Sequence, residues 1–371
     1  MLQQGLNMSR RIRRTAYTDR VEQHGVSGYS VVNHMLLPKA YATSVEEDYW
    51  HLREHVQIWD VGCQRQVQIS GPDAAKLVQL MTPRDLRAIP DGQALYIPVI
   101  DENAGMLNDP VLLKLHDDKF WLSVADSDVL LFAKGIAFGS QLNVTVEEPD
   151  VFPLAIQGPK AETLMAELFG DAIREVPYFG FGTFEILGTQ QVIARSGYSK
   201  QGGFEVYLEG GHLGSDLWDM ILESGRSLEI RPGCPNLIER IEGGLMSYGN
   251  EFTRANNPLE CGFKSYCHLD DDIEYIGRTA LIKISADGPG CHIMGVKFGG
   301  NAISGVTIPL AVFAQDGSQI GEVTSGIWSP RLACNVGLSM IARGHWGVGT
   351  SVIVRDAEGA YRDGVVSQLP F

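Results

Sequence analysis

Four short stretches carry side chains suited to chemistry. In "SGYSKQGGFEVYL" (196–208) a glycine-rich turn enters a segment with strand alternation. Phe204, Val206 and Leu208 fall on one face, Glu205 and Tyr207 together on the other. A carboxylate beside a phenol reads either as a solvated strand face or as the wall of a site for a flat polar ligand. In "GMLNDPVLLKL" (105–115) Asp109 stands between a glycine-containing turn and an alternating apolar strand. A carboxylate there is a candidate acid–base group. Asn-Asp-Pro is also ordinary turn chemistry, because Asx side chains bond nearby backbone and proline fixes φ. Tyr96 interrupts the apolar run "ALYIPVI" (94–100), where a core tyrosine with its hydroxyl satisfied reads equally well. In "ERIE" Arg240 is placed to pair with a nearby carboxylate. The nine histidines are scattered, with no HExxH and no His/Cys cluster, so no metal is expected.

The elements around these residues are readable. "RQVQISGPDAAKLVQLM" (65–81) predicts a strand, a Gly-Pro step and a helix with Leu77, Val78 and Met81 on one face. "FPLAIQGPKAETLMAELFG" (152–170) repeats the scheme with Leu164, Met165, Leu168 and Phe169. Each proline is placed in the first helical turn, where its missing N–H is harmless. Two copies suggest two related α+β subdomains. "SDLWDMILESG" (215–225) predicts a helix with Ser215 as N-cap and Gly225 as stop, and "NLIERIEGGLMSYG" one from Asn236 to Gly249. After about residue 285 the pattern becomes short strands separated by Asp-Gly and Glu-Gly turns, as in a small β barrel.

The 371 residues suggest two or three domains, and 44% apolar residues suffice for real cores. The net charge of −15 disfavours nucleic acid and anionic membranes as partners. No apolar run approaches the ~20 residues of a membrane span. The N-terminal "MLQQGLNMSRRIRRTAY" carries four arginines with no apolar stretch behind them, unlike a secretory signal. Six cysteines without a CxxC pair read as reduced thiols of a cytoplasmic protein.

Longer strings add a resemblance. "NDP", "SGYSKQGGFE", "LMSYGNEFTRANNPLECG", "YIGRTAL" and "GEVTSGIWSP" follow the order of their counterparts in the folate-dependent aminomethyltransferase (glycine-cleavage T-protein) family, over essentially the whole chain. "SRRIRRT", "NHMLLP", "HLREHVQIWDV", "MLNDPV" and "CPNLIERIE" resemble more closely its dimethylsulfoniopropionate demethylase branch. Aminomethyltransferases carry a double Asp at Asn108-Asp109 and a Gly-Glu turn at Lys200-Gln201. The resemblance implies an α+β, three-domain cloverleaf around a channel for tetrahydrofolate. Two interleaved α+β subdomains (roughly 1–62 with 150–285, and 63–149) would precede a C-terminal β domain (286–371).

It further implies that Glu205 holds the pterin, with Tyr96, Tyr198 and Tyr207 as folate contacts and Asp109 beside the reactive nitrogens as the catalytic group. Val32, Asn33 and Tyr198 fall where the methyl donor is expected. Tyr198 and Val32 stand where demethylases of this branch tend to carry Trp and Tyr. The activity implied is methyl transfer from a sulfonium donor to tetrahydrofolate, with no metal. A betaine or aryl methyl ether demethylase, a divergent aminomethyltransferase and a non-catalytic folate-binding regulator stay open, as does a homodimer.

Overall fold

A computed structural model describes residues 9–126, 128–270 and 272–371, so the first eight residues of the arginine-bearing N-terminal stretch lie outside the described residues. Three sheets organise the chain. A five-stranded sheet runs, in spatial order, Thr145–Glu147, Arg65–Ser70, Lys119–Val124, Val111–His116 and Ala94–Tyr96. A six-stranded sheet runs Phe181–Ile186, Thr189–Ala194, Gly203–Glu209, Val151–Gln157, Gln57–Asp60 and Arg231–Gly233, all antiparallel except the last pair. Strand Gln57–Asp60 thus joins strands more than ninety residues later, bracketing the first sheet in sequence. Six strands from Cys291–Phe298 to Tyr361–Ser367 close into a barrel, the first pairing with the last. The expected α+β architecture with a C-terminal barrel is therefore present.

The two strand–Gly-Pro–helix units have one geometry. Strand Arg65–Ser70 leads to helix Ala74–Met81, and strand Val151–Gln157 to helix Ala161–Phe169. Gly71 and Gly158 sit at φ +124° and +123°, and the first residue of each helix donates its N–H to that glycine's carbonyl at 3.0 Å. A Cβ would strike the Asn143 carbonyl oxygen at the first site and that of His55 at the second. Glycine is required twice for the same reason: left-handed backbone pressed against a neighbouring chain. The prolines lie before the helices, in the turn, and not in the first helical turn as the sequence predicted.

The five- and six-stranded sheets each bury one face under their own helices. Phe204, Val206 and Leu208 pack with Leu164, Met165, Leu217 and Trp218; Val67, Ile69 and Leu122 pack with Leu77, Val78 and Met81. The opposite faces meet at a seam of Ala94, Leu113, Trp121, Ala194 and Tyr207. Two sequence expectations are corrected. Ser215 is not an N-cap: a 3-10 turn, Gly211–Leu213, runs directly into helix Gly214–Ser224 and leaves Ser215 inside it, while Gly225 does stop it. The helix capped by Asn236, whose side chain accepts from the N–H groups of Ile238 and Glu239, spans only Leu237–Glu242. Gly243 and Gly244, the latter at φ +64°, turn the chain away well before Gly249.

Candidate functional site

The first two units and the barrel enclose a cavity of about 530 Å³. Gln64, Tyr96 and Val111 enter from the five-stranded unit, and Tyr178, Ser196, Tyr198, Lys200 and Glu205 from the six-stranded unit. The turn after helix Leu237–Glu242 contributes Gly243 to Met246, and residues 261–266 contribute Cys261, Phe263 and Tyr266. His292, Ile293, Met294, Gln368 and Leu369 close it from the barrel.

Glu205 lies on the central strand Gly203–Glu209, only 5% exposed. Ser196 donates its hydroxyl to Oε2 at 2.5 Å, and Oε1 has no donor among the described residues. Burial holds this carboxyl above the usual carboxylate range, so it gains from any donor brought to it. The solvated-face reading is thereby excluded: both faces of the strand are covered, one by helices and one by the opposing sheet. Tyr207 shares the face of Glu205 but lies two residues further along, about 7 Å. That carries it out of the cavity lining and into the seam, where its ring centroid is 6.2 Å from that of Trp121. Its hydroxyl has no hydrogen-bond partner among the described residues.

Asp109 follows strand Met106–Asn108 and is partly buried directly behind the cavity wall. The Tyr96 hydroxyl donates to its Oδ2. Tyr96 lines the cavity and Asp109 does not, so the carboxylate reaches it one hydrogen bond behind the phenol. Burial pushes the Asp109 carboxyl up to about 7, while the Tyr96 bond acts in the opposite direction. Burial, then the Asp109 charge, push Tyr96 well above the ordinary phenol range, so Tyr96 is the donor of the pair. The Tyr96 ring is held edge-on by Phe263 and Tyr266, with centroids 5.3 and 5.6 Å away. Arg84 donates to the Tyr96 carbonyl and lays its guanidinium 4.8 Å from the Tyr266 ring centre.

Tyr198 donates its hydroxyl to the carbonyls of Met246 at 2.7 Å and Leu245 at 3.1 Å, so its polar end is tied to the wall it shares. Arg240 also donates to the Leu245 carbonyl, at 3.1 Å, and pairs with buried Glu251 at 2.7 Å. Its other nitrogen donates to the barrel's Ser325 at 2.6 Å, and Ser325 donates in turn to Glu251. This buried triad fastens the Gly243–Met246 wall to the barrel and realises the carboxylate pairing that "ERIE" suggested.

Val32 and Asn33 do not line the cavity. They stand at the tip of the hairpin Gly28–Val32/Met35–Ala40, whose two turn residues, Asn33 and His34, have φ of 50° and 60°. That turn has positive φ at both positions and favours Asn. The Asn33 side-chain amide donates to the carbonyls of Ala125 at 2.6 Å, Val124 at 2.9 Å and Cys63 at 3.1 Å, so it pins the tip to the end of a strand. The Asn33 N–H donates to Asp126 Oδ1 at 3.0 Å, and Asn108 donates to the Asp126 carbonyl at 3.2 Å, which brings the tip to the Asn108-Asp109 turn.

The structure thus gathers Tyr96, Asp109, Tyr198 and Glu205 about one cavity, leaves Tyr207 in the seam, and brings Val32 and Asn33 only to its Asn108 side. Ser196, Phe263, Tyr266 and the Gly243–Met246 backbone were missed. Ser196 had a signal: a residue just before the glycine-rich turn of "SGYSKQGGFE" can face one just after it. Phe263 and Tyr266 had none, since "ECGFKSYC" has neither helical nor strand periodicity. Among the described residues no three His, Cys, Asp or Glu side chains are gathered as a metal site requires, and no helix is long and apolar enough to cross a membrane.

Comparison with known proteins matches residues 17–271 to the GCVT N-terminal domain and 306–371 to the glycine cleavage T-protein C-terminal barrel domain. The barrel's first strand, Cys291–Phe298, precedes the second match. The chain is 47% identical over 355 residues to dimethylsulfoniopropionate demethylase DmdA of Ruegeria pomeroyi, covering 95% of each. It is 29% identical to an aminomethyltransferase of Symbiobacterium thermophilum, covering 86% of each. The crystal structure of glycine cleavage system aminomethyltransferase T from Bartonella henselae superposes with a TM-score of 0.86 at 23% identity, over 97% of this chain and 98% of that one, and so shares its fold.

Proposed function

The chain belongs to the glycine-cleavage T-protein family, and on that premise we propose that it demethylates dimethylsulfoniopropionate or a close sulfonium analogue. Tetrahydrofolate is the methyl acceptor, and the products are 5-methyltetrahydrofolate and methylmercaptopropionate. One observation carries the folate half: Glu205, a buried carboxylate with an unpaired oxygen, faces a cavity of about 530 Å³ walled by aromatic rings. A pterin offers an N–H and an amino group side by side, which a carboxylate accepts as a two-point bond. The donor is taken from the Ruegeria pomeroyi relative, 47% identical.

Tetrahydrofolate supplies a neutral nucleophile, N5, and the sulfonium gives up its methyl while the S–C electron pair stays on the sulfur of a neutral thioether. Such a donor is already activated, so the chain has only to align the partners and handle one proton. Glu205 fixes one end of the pterin, and Tyr96 and Tyr198 present aromatic faces whose hydroxyls are already committed. Asp109, poised near neutrality, takes up the proton that N5 releases through Tyr96, whose hydroxyl passes its own proton on to the carboxylate as it receives the new one. Neither step calls for a metal, and the reading places the enzyme in cytoplasmic one-carbon metabolism.

The test is to incubate the protein and tetrahydrofolate with a panel of methylated sulfonium, ammonium and ether compounds, and to measure 5-methyltetrahydrofolate and the demethylated product by mass spectrometry. Turnover of dimethylsulfoniopropionate is expected. Product from a betaine or an aryl methyl ether alone would overturn the donor. Reaction only with an aminomethyl-lipoyl carrier would overturn methyl transfer.

A further inference from the structure

The cavity lining contains one side chain with a full positive charge, Lys200. The chain carries a net charge of −15, yet no carboxylate lies within ion-pair distance of the Lys200 ammonium among the described residues. The acid that holds this loop is spent elsewhere. Glu239, 2% exposed, accepts the Lys200 backbone N–H at 3.0 Å and the Gln201 side chain at 2.7 Å through Oε1, and pairs with Arg53 at 3.2 Å through Oε2. The loop is therefore anchored while its ammonium stays unpaired.

The Lys200 stem has a prepared bed. Gly243 has helical φ, −72°, so its backbone does not require glycine. A Cβ there would come within 2.9 Å of Lys200 Cγ, so it is the missing side chain that lets the stem lie against the wall. Glu205 is deep and Lys200 is exposed, so the two opposite charges stand at the inner and outer ends of one cavity. A ligand with hydrogen-bond donors at one end and a carboxylate at the other matches that polarity.

We propose that Lys200 is the carboxylate-binding group of the central cavity. This rests on the folate-dependent demethylase reading, which offers two sources of that carboxylate: the glutamyl tail of the folate and the acid end of the methyl donor. Both are met by the same chemistry, a charge-assisted hydrogen bond from an ammonium at the cavity mouth.

The experiment uses the full chain with Lys200→Met and Lys200→Arg. Calorimetry measures binding of tetrahydrofolate and of 6-methyltetrahydropterin, which keeps the ring and lacks the tail. Initial rates give KM for dimethylsulfoniopropionate and for its carboxamide. If the tail is the ligand, Lys200→Met weakens tetrahydrofolate by about fivefold to fiftyfold at low salt, removes much of the salt dependence, and leaves 6-methyltetrahydropterin unchanged. If the donor is the ligand, KM for dimethylsulfoniopropionate rises by a similar factor and KM for the carboxamide does not. Lys200→Arg retains most of the wild-type behaviour in either case. Wild-type binding with no effect of Lys200→Met on either substrate overturns the proposal alone. A wild-type protein that binds neither folate compound overturns the folate reading and this proposal with it.

Discussion

Replacing Glu205 by Gln should move folate affinity and protein stability in opposite directions. In the wild type, one carboxylate oxygen accepts the Ser196 hydroxyl at 2.5 Å and the other is open. The amide keeps the shape and removes the charge. If its oxygen takes the Ser196 bond, its NH2 group faces the pterin's donors. If it turns over, Ser196 loses its acceptor. Either way one buried polar group is unpaired in the complex, a cost of ~1–3 kcal/mol, or about fivefold to 150-fold in Kd. Without ligand the sign reverses. Burial disfavours the charged form of Glu205, and a neutral amide escapes that cost. The melting temperature of the free variant at pH 8 should therefore equal or exceed that of the wild type. Calorimetric titration with tetrahydrofolate, beside thermal denaturation of the free protein, reads both. Unchanged affinity would remove Glu205 from the site. Weaker binding together with a fall in melting temperature would mean that Glu205 only supports the fold.

The Asp109 carboxyl, pushed up to about 7, should give methyl transfer an acidic limb: at one pH unit below 7 about a tenth of the groups are ionised, so turnover falls about tenfold. Asp109→Asn should lower turnover and abolish that limb with folate binding largely intact, and Tyr96→Phe, which removes a bond favouring ionisation, should shift the limb to higher pH by about one unit; a pH–rate profile of each variant decides. Arg240→Met strands Glu251 without its buried partner and should cost ~3–5 kcal/mol, with Arg240→Met/Glu251→Gln recovering part of it in urea denaturation; an unstable double mutant would mean that Arg240 acts by packing alone. Asp60 is buried, accepts from Thr15 at 2.6 Å and the Gly62 N–H at 3.0 Å, and is raised by burial to about 7. Because its folded pKa lies above the unfolded value near 4, its contribution is full below about 4 and is lost as pH climbs through 7. Asp60→Asn should flatten that part of the stability–pH curve, and an unaltered curve would clear Asp60 of the effect.

Much of this arrangement was legible because it is written in local periods. Leu77, Val78 and Met81, and Leu164 and Met165, are buried on the helix faces their spacing predicts. The alternation at Phe204 to Leu208 correctly separated the two faces of the strand, but it could not say what covers the second face. That depends on Trp121 and Leu113, more than eighty residues earlier in the chain, so a carboxylate on a buried seam and one on a solvated surface look alike in sequence. Ser215 and Gly249 misled because a preceding 3-10 turn and the Gly243-Gly244 pair shifted the helix ends, and such boundaries are set by how the chain enters and leaves its neighbours. Asn33 was read as a substrate contact, whereas its left-handed turn conformation and three carbonyl partners give it a structural task. Nothing within "ERIE" could name Glu251 or Ser325, which meet Arg240 only once the barrel docks.

The cavity wall begins at Gln64 and ends at Leu369, so no single unit owns it. A bound ligand therefore behaves as a keystone. It adds RT ln(1 + [L]/Kd) to the native state, about 2.7 kcal/mol at a hundredfold excess over Kd, and adds it only while all three units stand together. Partial openings that detach the barrel or peel one sheet from the other forfeit the whole amount. Saturating folate should thus suppress sub-global openings as strongly as complete unfolding, so that hydrogen exchange slows by similar factors in all three units and protease nicking between them is held back.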